Sequence, residues 1–458
     1  MNRPYPVAAF EAGRPASVAP KVNRHFHYLA PRLPNAWLSF VFAFAIGVCL
    51  LASSAAGTTA YFVGRSGAVG FLGVTAVMAL LFPYGFLQSN ARNPLLWLLP
   101  LWGLFSATWS INPDQTLHSF RLFMPTVAAG IAVGGMLDRR GASVGLALAL
   151  TAYMIYSVGF GGFVGFADTG AGGDALAGVT GGKNYFGHLS ANAFMMTPVF
   201  LVLAVGRWRG PALVFTAAAM LLSGFALWKS HATGSILATA IAFTVMASAL
   251  LFRRLSWQFR IVLFAAVTGV ILLLMFFGQA LQDEVFEKVL RTFNKDTTLT
   301  GRTVLWDYAD RMIQTRFWLG YGSGAFWHWM NPDAWTLWRM MGVAPMSGFN
   351  FHNTFRETLI GTGAVGLALF FVTYGIPYVR LAWRSLSTGD PLLALGLGFV
   401  TYFVVRMPVE STGVGPLSID SIVLLMFLSV AIRGRDTANE GPVPAPRPRR
   451  PRPRTFRN

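Results

Sequence analysis

The chain has 458 residues, of which 54% are hydrophobic and only 12% are charged. Soluble domains carry roughly 25% charged residues, so the composition excludes a soluble globular enzyme, a disordered protein and a coiled coil. The net charge of +18 would suit a nucleic-acid-binding protein, but many arginines lie in the two tails and in short loops between apolar runs. We therefore expect no nucleic-acid partner. The single cysteine, Cys49, excludes a disulfide framework and a cysteine zinc site.

Apolar runs long enough to cross a bilayer recur along the chain. A helix needs about 20 residues to cross roughly 30 Å of hydrocarbon, and these runs are continuous rather than alternating in period two. The sequence therefore predicts an all-α, polytopic integral membrane protein, because helices satisfy their own backbone polar groups in lipid. The twelve predicted spans are residues 37–57, 68–88, 95–109, 119–137, 143–165, 185–205, 211–229, 232–252, 260–281, 356–380, 391–408 and 416–433.

Three regions are predicted: a tail over residues 1–36, a membrane domain over residues 37–433, and a proline- and arginine-rich tail over residues 434–458. The membrane domain includes a long loop, residues 282–355, between the ninth and tenth spans. Prolines at nearly alternate positions predict that the C-terminal tail is extended and solvated. An alternative role for that tail is docking a cytoplasmic partner, because two of its prolines have the PxxP spacing.

Positively charged residues in the short loops predict the orientation. With the N-terminus inside, ten arginines lie in the inner short loops, and only Arg65, Lys183 and Lys229 lie in the outer ones. The positive-inside rule then places both termini in the cytoplasm and the loop 282–355 outside. That loop carries seven of the eighteen acidic residues, balanced by seven basic ones, and we expect function there.

Polar side chains cluster at the outer ends of the predicted spans, where they are costly and mark functional sites. Five of the seven histidines lie there, together with cations suited to an anionic substrate. These cations are Arg121, Lys183, Lys229, Arg302, Arg311 and Arg406. The alternative for each cation is an ordinary helix-end or ion-pair role. Arg406 and Glu410, for example, are spaced i,i+4 and could pair with each other.

A metal site is not predicted. The sequence has neither HExxH nor a paired-histidine helix spacing, and it has no cysteine ligand set. It also lacks the Asp-x-Asp pair that often holds a divalent cation in sugar-nucleotide enzymes. Arginine and lysine are the expected counter-charge for an anionic substrate, and no cofactor is expected.

Two segments of the outer loop concentrate candidate residues. In the first, apolar residues at four-residue spacing from Val304 predict a helix. Arg302 falls in the first turn of this helix, where free backbone N–H groups favour anions. In the second, His352 enters the tenth span beside Asn353, where it can act as a base on something delivered from outside. The alternative is a histidine that caps the start of the helix.

These segments resemble the O-antigen ligase and polymerase superfamily, the Wzy/WaaL-like integral membrane glycosyltransferases. In that family a Gly-Arg followed by a tryptophan opens an outer helix, a Gly-Tyr-Gly turn follows, and a His-Asn leads into a glycine-containing span. This sequence has Gly301-Arg302 with Trp306, then Gly320-Tyr321-Gly322, then His352-Asn353 with Gly361 and Gly366.

Two further segments are similar to the family, and one departs from it. The similar ones are Trp109-Ser110-Ile111-Asn112-Pro113 before the fourth span and Gly182-Lys183-Asn184 before the sixth. The family often has Ser-Arg at the junction of the seventh and eighth spans, and that arginine is thought to help bind pyrophosphate. Here the junction reads Lys229-Ser230-His231, so Lys229 or His231 would replace the arginine.

The resemblance implies an inverting, metal-independent glycosyltransferase of GT-C-like fold. Its donor would be a glycan linked to undecaprenyl pyrophosphate. His352 would orient or deprotonate the acceptor hydroxyl, and Arg302 would stabilise the leaving pyrophosphate as the second catalytic residue. The implied substrate-binding residues are Lys229, His231, Lys183, Asn184, Arg121, Arg406, Trp306, Tyr321 and Asn353.

The family contains ligases, which move a finished glycan onto lipid A core, and polymerases, which extend a glycan on its lipid carrier. The Gly-Lys-Asn and Lys-Ser-x-x-Thr features favour the exopolysaccharide polymerase branch. The implied partners are a lipid-linked donor, a glycan or lipid A core acceptor and a chain-length regulator. The implied location is the bacterial inner membrane.

Two other classes of protein remain open from the sequence. Twelve spans also suit a transporter or a flippase for lipid-linked glycans, which would have ionisable residues near the bilayer midplane and two similar halves. Here the charges lie at one face and only one half contains a long loop, so this class ranks second. A structural scaffold for a polysaccharide-export complex is the third alternative.

Overall fold

The computed structural model describes residues 33–54, 60–168, 171–252, 256, 258–259, 302–343 and 349–432. Residues 260–301, which hold the predicted ninth span and the first part of the predicted outer loop, lie outside the described residues. Residues 1–32 and 433–458 of the two predicted tails also lie outside them.

The described residues form α-helices and a β-hairpin. The helices are α1 (Ala36–Ser53), α2 (Ala60–Leu81), α3 (Pro83–Ala91), α4 (Leu98–Phe105), α5 (Pro113–Gly135), α6 (Arg139–Phe160), α7 (Lys183–Met196), α8 (Val199–Leu203), α9 (Arg209–Lys229), α10 (Thr233–Phe252), α11 (Arg302–Thr315), α12 (Pro332–Met340), α13 (Thr354–Phe370), α14 (Ile376–Thr388), α15 (Pro391–Arg406) and α16 (Ile419–Ile432). Between α6 and α7, strands β1 (Gly162–Asp168) and β2 (Ala171–Gly178) pair antiparallel. Short 3₁₀ turns at Pro94–Trp97, Ser106–Thr108 and Gly206–Trp208 adjoin α4 and α9, and a π-helical turn at Phe371–Gly375 joins α13 to α14.

Eight helical stretches of the described residues are long and apolar enough to cross a membrane. Three shorter apolar stretches accompany them: Pro94–Thr108, α15 and α16. Together these stretches cover eleven of the twelve predicted spans, and the prediction of an all-α, polytopic membrane protein is confirmed.

The fifth span ends earlier than the predicted residue 165. Helix α6 stops at Phe160, and Gly161 turns the chain into β1 with extended backbone angles. A Cβ at Gly161 would lie 2.2 Å from the Ser157 carbonyl oxygen and 2.4 Å from Gly178 Cα. Only glycine therefore allows the two ends of the hairpin to meet here, and glycine is also a poor helix former.

The tenth span is broken in its middle by a segment of the outer loop. Within α13, Gly363 has a positive φ of 69°, and a Cβ there would lie 2.2 Å from the Trp318 carbonyl oxygen. Near this kink, backbone carbonyl groups of α13 accept hydrogen bonds from the Gly-Tyr-Gly turn. Tyr321 N donates to Ile360 O at 2.7 Å, and Gly322 N donates to Gly361 O at 3.0 Å. The Gly-Tyr-Gly turn and Gly363 thus allow the loop to pack closely on α13 and to form hydrogen bonds with it.

Side-chain caps fix the starts of several helices near this loop. Asn112 caps α5 by accepting from Gln115 N, and Pro113 occupies the first helical position. Asn353 caps α13 by accepting from Arg356 N at 2.9 Å. An Asn or Asp cap contributes about 1 kcal/mol and sets where the helix begins. The Asn353 cap therefore determines the backbone position of the residue before it, His352.

The centre and the edge of the membrane domain differ in burial. Nearly every residue of α15 and α16 is buried, although both helices are short. Small residues allow close packing around them: a Cβ at Gly134 of α5 would lie 2.3 Å from the Met426 carbonyl oxygen of α16. Helix α9 exposes large apolar side chains such as Leu221, as expected for a lipid-facing helix.

The outer loop has an apolar core of its own. Helices α11 and α12 pack with the segment around Phe351, and the buried residues include Leu305, Leu337 and Trp338. Arg356 at the start of α13 forms a bidentate ion pair with Asp310 of α11, both bonds at 2.8 Å. The described residues of the loop, 302–343 and 349–355, therefore form a packed structure that holds α11 against the start of α13.

Candidate active site

A cavity of about 590 Å³ opens where three parts of the chain converge. Its walls come from the start of α7, from residues 350–358 around the start of α13, and from residues 406–420 between α15 and α16. Predicted site residues that line it are His352, Asn184 and Arg406. The cavity also has carboxylates in its wall, Glu357, Glu410 and Asp420, so it combines acids with cations.

His352 and Glu410 form a close pair on this cavity. His352 Nδ1 lies 2.5 Å from Glu410 Oε1, and the two side chains are 26% and 16% exposed. His352 has a left-handed backbone with φ of 48°, and its N–H donates to Asn350 Oδ1 at 2.8 Å. A left-handed non-glycine residue is uncommon and is stabilised by its surroundings, and the contact of Nδ1 with Glu410 orients the ring.

Two arginines surround the same carboxylate. Arg302 Nη2 donates to Glu410 Oε2 at 3.1 Å, and its Nη1 donates to the Val409 carbonyl oxygen. Arg406 Nη2 lies 3.7 Å from Glu410 Oε2. Burial alone would raise the pKa of Glu410, but the His352 hydrogen bond and the charges of His352, Arg302 and Arg406 together lower that pKa to about 2. Glu410 is therefore an anion at physiological pH.

This arrangement determines which nitrogen of His352 can act as a base. An ionised carboxylate only accepts hydrogen bonds, so His352 Nδ1 carries a proton and donates it to Glu410. The other ring nitrogen, Nε2, has no hydrogen-bond partner among the described residues, and in the neutral ring it carries the lone pair. Glu410 also stabilises the imidazolium that forms when Nε2 takes a proton, which is the role of the carboxylate in histidine-carboxylate pairs generally.

A second polar network lies in the wall of the cavity, within the helices. His188 Nε2 of α7 lies 2.7 Å from Asp420 Oδ2 of α16, and both residues are buried. His188 Nδ1 lies 2.5 Å from Arg406 Nη1 of α15. Tyr402 OH accepts from the same Nη1 at 3.0 Å, and Asn192 donates to the other oxygen of Asp420. The network ties α7, α15 and α16 together.

Asn353, Trp306 and Tyr321 do not line the cavity but stabilise the elements that hold His352. Asn353 Nδ2 donates to the Pro408 carbonyl oxygen at 2.6 Å, which links the start of α13 to the segment that carries Glu410. Trp306 Nε1 donates to the carbonyl oxygen of Phe351 at 2.8 Å. Tyr321 is buried, and its hydroxyl contacts Thr315 Oγ1 at 2.5 Å.

The remaining predicted residues lie outside the lining of the cavity. Arg121, Lys229 and His231 are exposed, and Lys183 is half-buried. His231 has a left-handed backbone with φ of 51° in the turn between α9 and α10. That turn packs on α7, because a Cβ at Gly187 would lie 2.5 Å from Ser230 Oγ. Lys229 and His231 are thus attached to the helix that carries His188.

The candidate site residues named from the sequence omit three residues that the structure brings to this cavity: Glu410, His188 and Asp420. From the sequence they belonged only to the polar cluster at the outer ends of the spans, with Glu410 as the i,i+4 partner of Arg406. A signal for the other two was present, since His188 and Asn192 lie one turn apart inside an apolar helix and Asp420 lies inside another. Their pairing spans 232 positions in sequence, so only the fold could reveal it.

The carboxylates of this site already have basic or amide partners. The oxygens of Glu410 contact His352 and Arg302, and those of Asp420 contact His188 and Asn192. In the described part of the chain, no group of three His, Cys, Asp or Glu side chains is arranged to hold a metal ion. The charge available to an anionic ligand in these walls comes from arginine.

A second cavity of about 330 Å³ adjoins the first. The two share Leu99, Glu357, Thr358, Tyr374, Val414 and Gly415. The second cavity is lined by aromatic side chains, including Phe326 and Trp327, and by Gly322 of the Gly-Tyr-Gly turn. Glu357 lies at the boundary, where it accepts from Trp327 Nε1 at 3.1 Å and from Phe351 N at 2.9 Å.

Fold and site together define a polytopic membrane protein with a charged cavity between its core helices and an outer loop. Residues 192–371 match the sequence model of the O-antigen ligase family. The chain is also 25% identical to the exopolysaccharide production protein ExoQ of Rhizobium meliloti (strain 1021) over 390 residues, which is 84% of this chain and 86% of the relative. The resemblance to the O-antigen ligase and polymerase superfamily is thereby confirmed.

Proposed function

We propose that the protein is an inverting, metal-independent glycosyltransferase that extends a glycan linked to a polyprenyl pyrophosphate. The observation that carries this proposal is His352 on a cavity, paired with an ionised Glu410 that is held by Arg302 and Arg406. This arrangement supports a role for His352 as a general base beside fixed positive charge. Transfer from a pyrophosphate donor needs those two functions, a base for the acceptor and cations for the leaving group.

The proposed step is a single displacement. His352 Nε2 takes the proton of an acceptor hydroxyl while that oxygen attacks the anomeric carbon of the donor. The bond between the anomeric carbon and the pyrophosphate oxygen breaks, the leaving group keeps the electron pair, and the anomeric configuration inverts. Glu410 stabilises the imidazolium formed on His352, and the proton then passes to solvent. General-base assistance of this kind contributes about 10²–10⁴-fold in rate.

One of the candidate cationic residues lines the cavity, and the others lie around it. Arg406 lines the cavity, and Arg302 contacts Glu410 from the outer loop. We assign the pyrophosphate to Arg406 and Arg302, with Lys183, Lys229, His231 and Arg121 drawing the anionic donor toward the site. Asn184 at the start of α7 contacts the donor directly, since it lines the same cavity.

The two adjoining cavities suit a reaction with two large substrates. We assign the donor to the cavity with His352 and Arg406, and the acceptor glycan to the one lined by Phe326 and Trp327. Aromatic side chains pack well against the apolar faces of sugar rings. Trp306, Tyr321 and Asn353 act by holding the segments that form these walls.

Polymerase activity is favoured over transfer to lipid A core. The name of the relative ExoQ refers to exopolysaccharide production, and the alignment covers most of both chains. The proposed location is the bacterial inner membrane, with the site at the periplasmic face and both termini in the cytoplasm, as the positive-inside rule predicts. A chain-length regulator is a proposed partner.

The deciding experiment is gene deletion with separate analysis of secreted polysaccharide, lipopolysaccharide and lipid-linked intermediates. A polymerase predicts loss of polymer and accumulation of single repeat units on the lipid carrier at the periplasmic face. Polymer that persists on its carrier but not on lipid A core would mean ligase. Intermediates trapped at the cytoplasmic face would mean flippase and overturn the proposal. Complementation with wild type, but not with His352→Asn at matched protein level, ties the activity to this site.

A further inference from the structure

The hydrogen bonds of the buried network determine the tautomer of His188. A guanidinium can only donate, so His188 Nδ1 accepts from Arg406 Nη1 at 2.5 Å. Tyr402 OH accepts from the same Nη1 at 3.0 Å and lies 2.9 Å from Nδ1, whose single lone pair is directed at the arginine. The ring proton of His188 is therefore on Nε2, and it is donated to Asp420. Every hydrogen bond in the chain from Arg406 to Asp420 has a consistent direction.

One end of the Arg406 guanidinium is fixed by this network, while the other end has no hydrogen-bond partner among the described residues. Nη1 is bound by His188 and Tyr402. Nη2 lies 3.7 Å from Glu410, which is too long for a hydrogen bond. The described part of the chain offers no acceptor to the buried Nε. Nε and Nη2 together form the edge of arginine that binds two oxygens of a phosphate group at once.

Arg406 is 5% exposed and lines the cavity that contains His352. A buried donor without an acceptor is unfavourable, and an anion in the cavity would satisfy it. Neither neighbouring carboxylate accepts a hydrogen bond from this edge: Asp420 is occupied by His188 and Asn192, and Glu410, an ion-pair partner at 3.7 Å, is hydrogen-bonded to His352 and Arg302.

We propose that His188 is a positioning residue: by accepting from Arg406 Nη1, it turns the Nε–Nη2 edge toward the cavity, where that edge binds two oxygens of the pyrophosphate of a lipid-linked donor. This rests on the proposed function for the identity of the ligand. His188 itself transfers no proton to substrate. Its proton on Nε2 serves to anchor the ring on Asp420, and the acceptor on Nδ1 holds the arginine.

Two amide substitutions separate these functions of the ring. In His188→Asn, the side-chain amide occupies the position of Nδ1 and keeps an acceptor for Arg406. In His188→Gln, the amide reaches the position of Nε2, so the contact with Asp420 is kept and the acceptor for Arg406 is lost. Both variants are neutral and polar. The same two substitutions at His328, whose Nδ1 contacts Asn112 Nδ2 in the outer loop, provide matched controls.

The measurement is the Kd of inorganic pyrophosphate for the purified full-length protein in detergent, by isothermal titration calorimetry. We expect His188→Gln to weaken binding about 10-fold or more, from the loss of a well-oriented charge-assisted pair, and His188→Asn to stay within about 3-fold of wild type. The His328 variants should leave the Kd unchanged. Arg406→Lys should weaken binding as much as His188→Gln, because lysine has no fork.

A double-variant cycle tests whether His188 acts through Arg406. In an Arg406→Lys background, His188→Gln should cause no further loss of pyrophosphate affinity. Equal affinities of His188→Asn and His188→Gln, or a full additional loss in the Arg406→Lys background, would overturn the proposal. If His188→Gln does not fold, Tyr402→Phe removes the other partner of Nη1. That substitution should weaken binding when Arg406 is present but not in the Arg406→Lys background.

Farnesyl pyrophosphate as a second probe distinguishes the source of the anion. Tighter binding of farnesyl pyrophosphate than of inorganic pyrophosphate supports a lipid-linked ligand. The reverse order would overturn the assignment of the pyrophosphate to a lipid-linked donor. The assay measures pyrophosphate binding and needs no glycan transfer, so failure of this proposal can be distinguished from failure of the proposed function. His352→Asn should keep pyrophosphate affinity while losing transfer. If wild type and every variant lack transfer but the order of their pyrophosphate affinities holds, the proposed function is wrong and the role of His188 stands.

Discussion

The molecule contains two histidine-carboxylate pairs on one cavity, and their surroundings differ. His352 and Glu410 lie in segments between helices, and the His352 side chain is 26% exposed. His188 and Asp420 lie inside α7 and α16, where both side chains are less than 10% exposed. In the first pair the nitrogen near the carboxylate is Nδ1, so Nε2 is available to a ligand. In the second pair both nitrogens are occupied by protein groups.

The difference fits the two proposed roles, proton transfer by His352 and orientation of Arg406 by His188. A base must reach its substrate and lose its proton again, which requires partial exposure and a free nitrogen. A group that orients a buried arginine needs the opposite, full burial and complete hydrogen bonding. Arg406 links the two pairs, because it contacts His188 directly and lies 3.7 Å from Glu410.

Removing the exposed histidine should affect transfer most. We expect His352→Ala and His352→Asn each to lower the rate about 10²–10⁴-fold, the usual contribution of a general base. Asparagine tolerates the left-handed backbone at this position, so its variant should fold as wild type does. Transfer is measured with purified protein and lipid-linked donor. His328→Ala, a histidine outside this pair, is the control; normal polymer from either His352 variant would refute the assignment.

Arg302→Lys should be impaired roughly 10- to 10²-fold, because it loses charge-assisted hydrogen bonds that contribute about 1.5–3 kcal/mol each. Arg302 donates from two nitrogens, one to Glu410 and one to the Val409 carbonyl oxygen. A lysine ammonium can hold one of these but has no planar fork. The readout is kcat/KM for donor, with Arg302→Ala alongside. Full activity in Lys and loss in Ala would mean that a point charge suffices.

Glu410→Gln should lower the rate of transfer about 10-fold, toward the smaller end of what an orienting carboxylate contributes. The same substitution should change how the stability of the folded state depends on pH. The pKa of Glu410 is lowered from 4.5 to about 2, so its ionised form stabilises the folded state above pH 4.5. That contribution is lost as pH falls from 4.5 toward 2.

Thermal unfolding in detergent measures this stability. Wild type should exceed Glu410→Gln in Tm above about pH 5, and the gap should close as the pH is lowered through the window set by 4.5 and 2. Asp390 forms an ion pair with Arg139, and neither residue lines the cavity. Asp390→Asn is therefore the control for the loss of one paired carboxylate. A gap that is constant with pH would show that Glu410 gains no stability from its ionised form.

Lys229→Ala tests a cation outside both pairs. Lys229 is exposed at the end of α9 and does not line the cavity, so we expect a loss of only about 2- to 5-fold, as for exposed ion pairs. The loss should be in KM for donor rather than in kcat, and should shrink at high salt. A loss as large as that of Arg302→Ala would move the pyrophosphate to the turn between α9 and α10.

The smallest effect is expected from chelation. EDTA should leave transfer by the purified protein unchanged, because arginine supplies the positive charge that pyrophosphate departure needs. Glu410 and Asp420 are the carboxylates most able to contradict this expectation, since both line the cavity. Activity that is lost in EDTA and restored by Mg²⁺ or Mn²⁺ would bring these two residues into a metal site.

The amino-acid sequence by itself determined the membrane architecture. A run of about 20 apolar residues must be a helix in lipid, because no other element satisfies its backbone groups there, and this holds whatever its neighbours are. The sequence also placed Arg302 at the start of α11 and His352 before the cap of α13, since local turns and caps depend on a few adjacent residues. The motifs around both residues carried the family resemblance.

Only the tertiary structure decided which polar residues meet. Glu410 reaches His352 across 58 positions and Arg302 across 108, and Asp420 reaches His188 across 232. The short helices α15 and α16 are apolar on every side, so their sequence gives no amphipathic pattern from which a facing partner could be inferred. The pairing depends on how these helices pack against α5, α7 and α10, and packing of uniformly apolar helices is set by shape complementarity between distant segments.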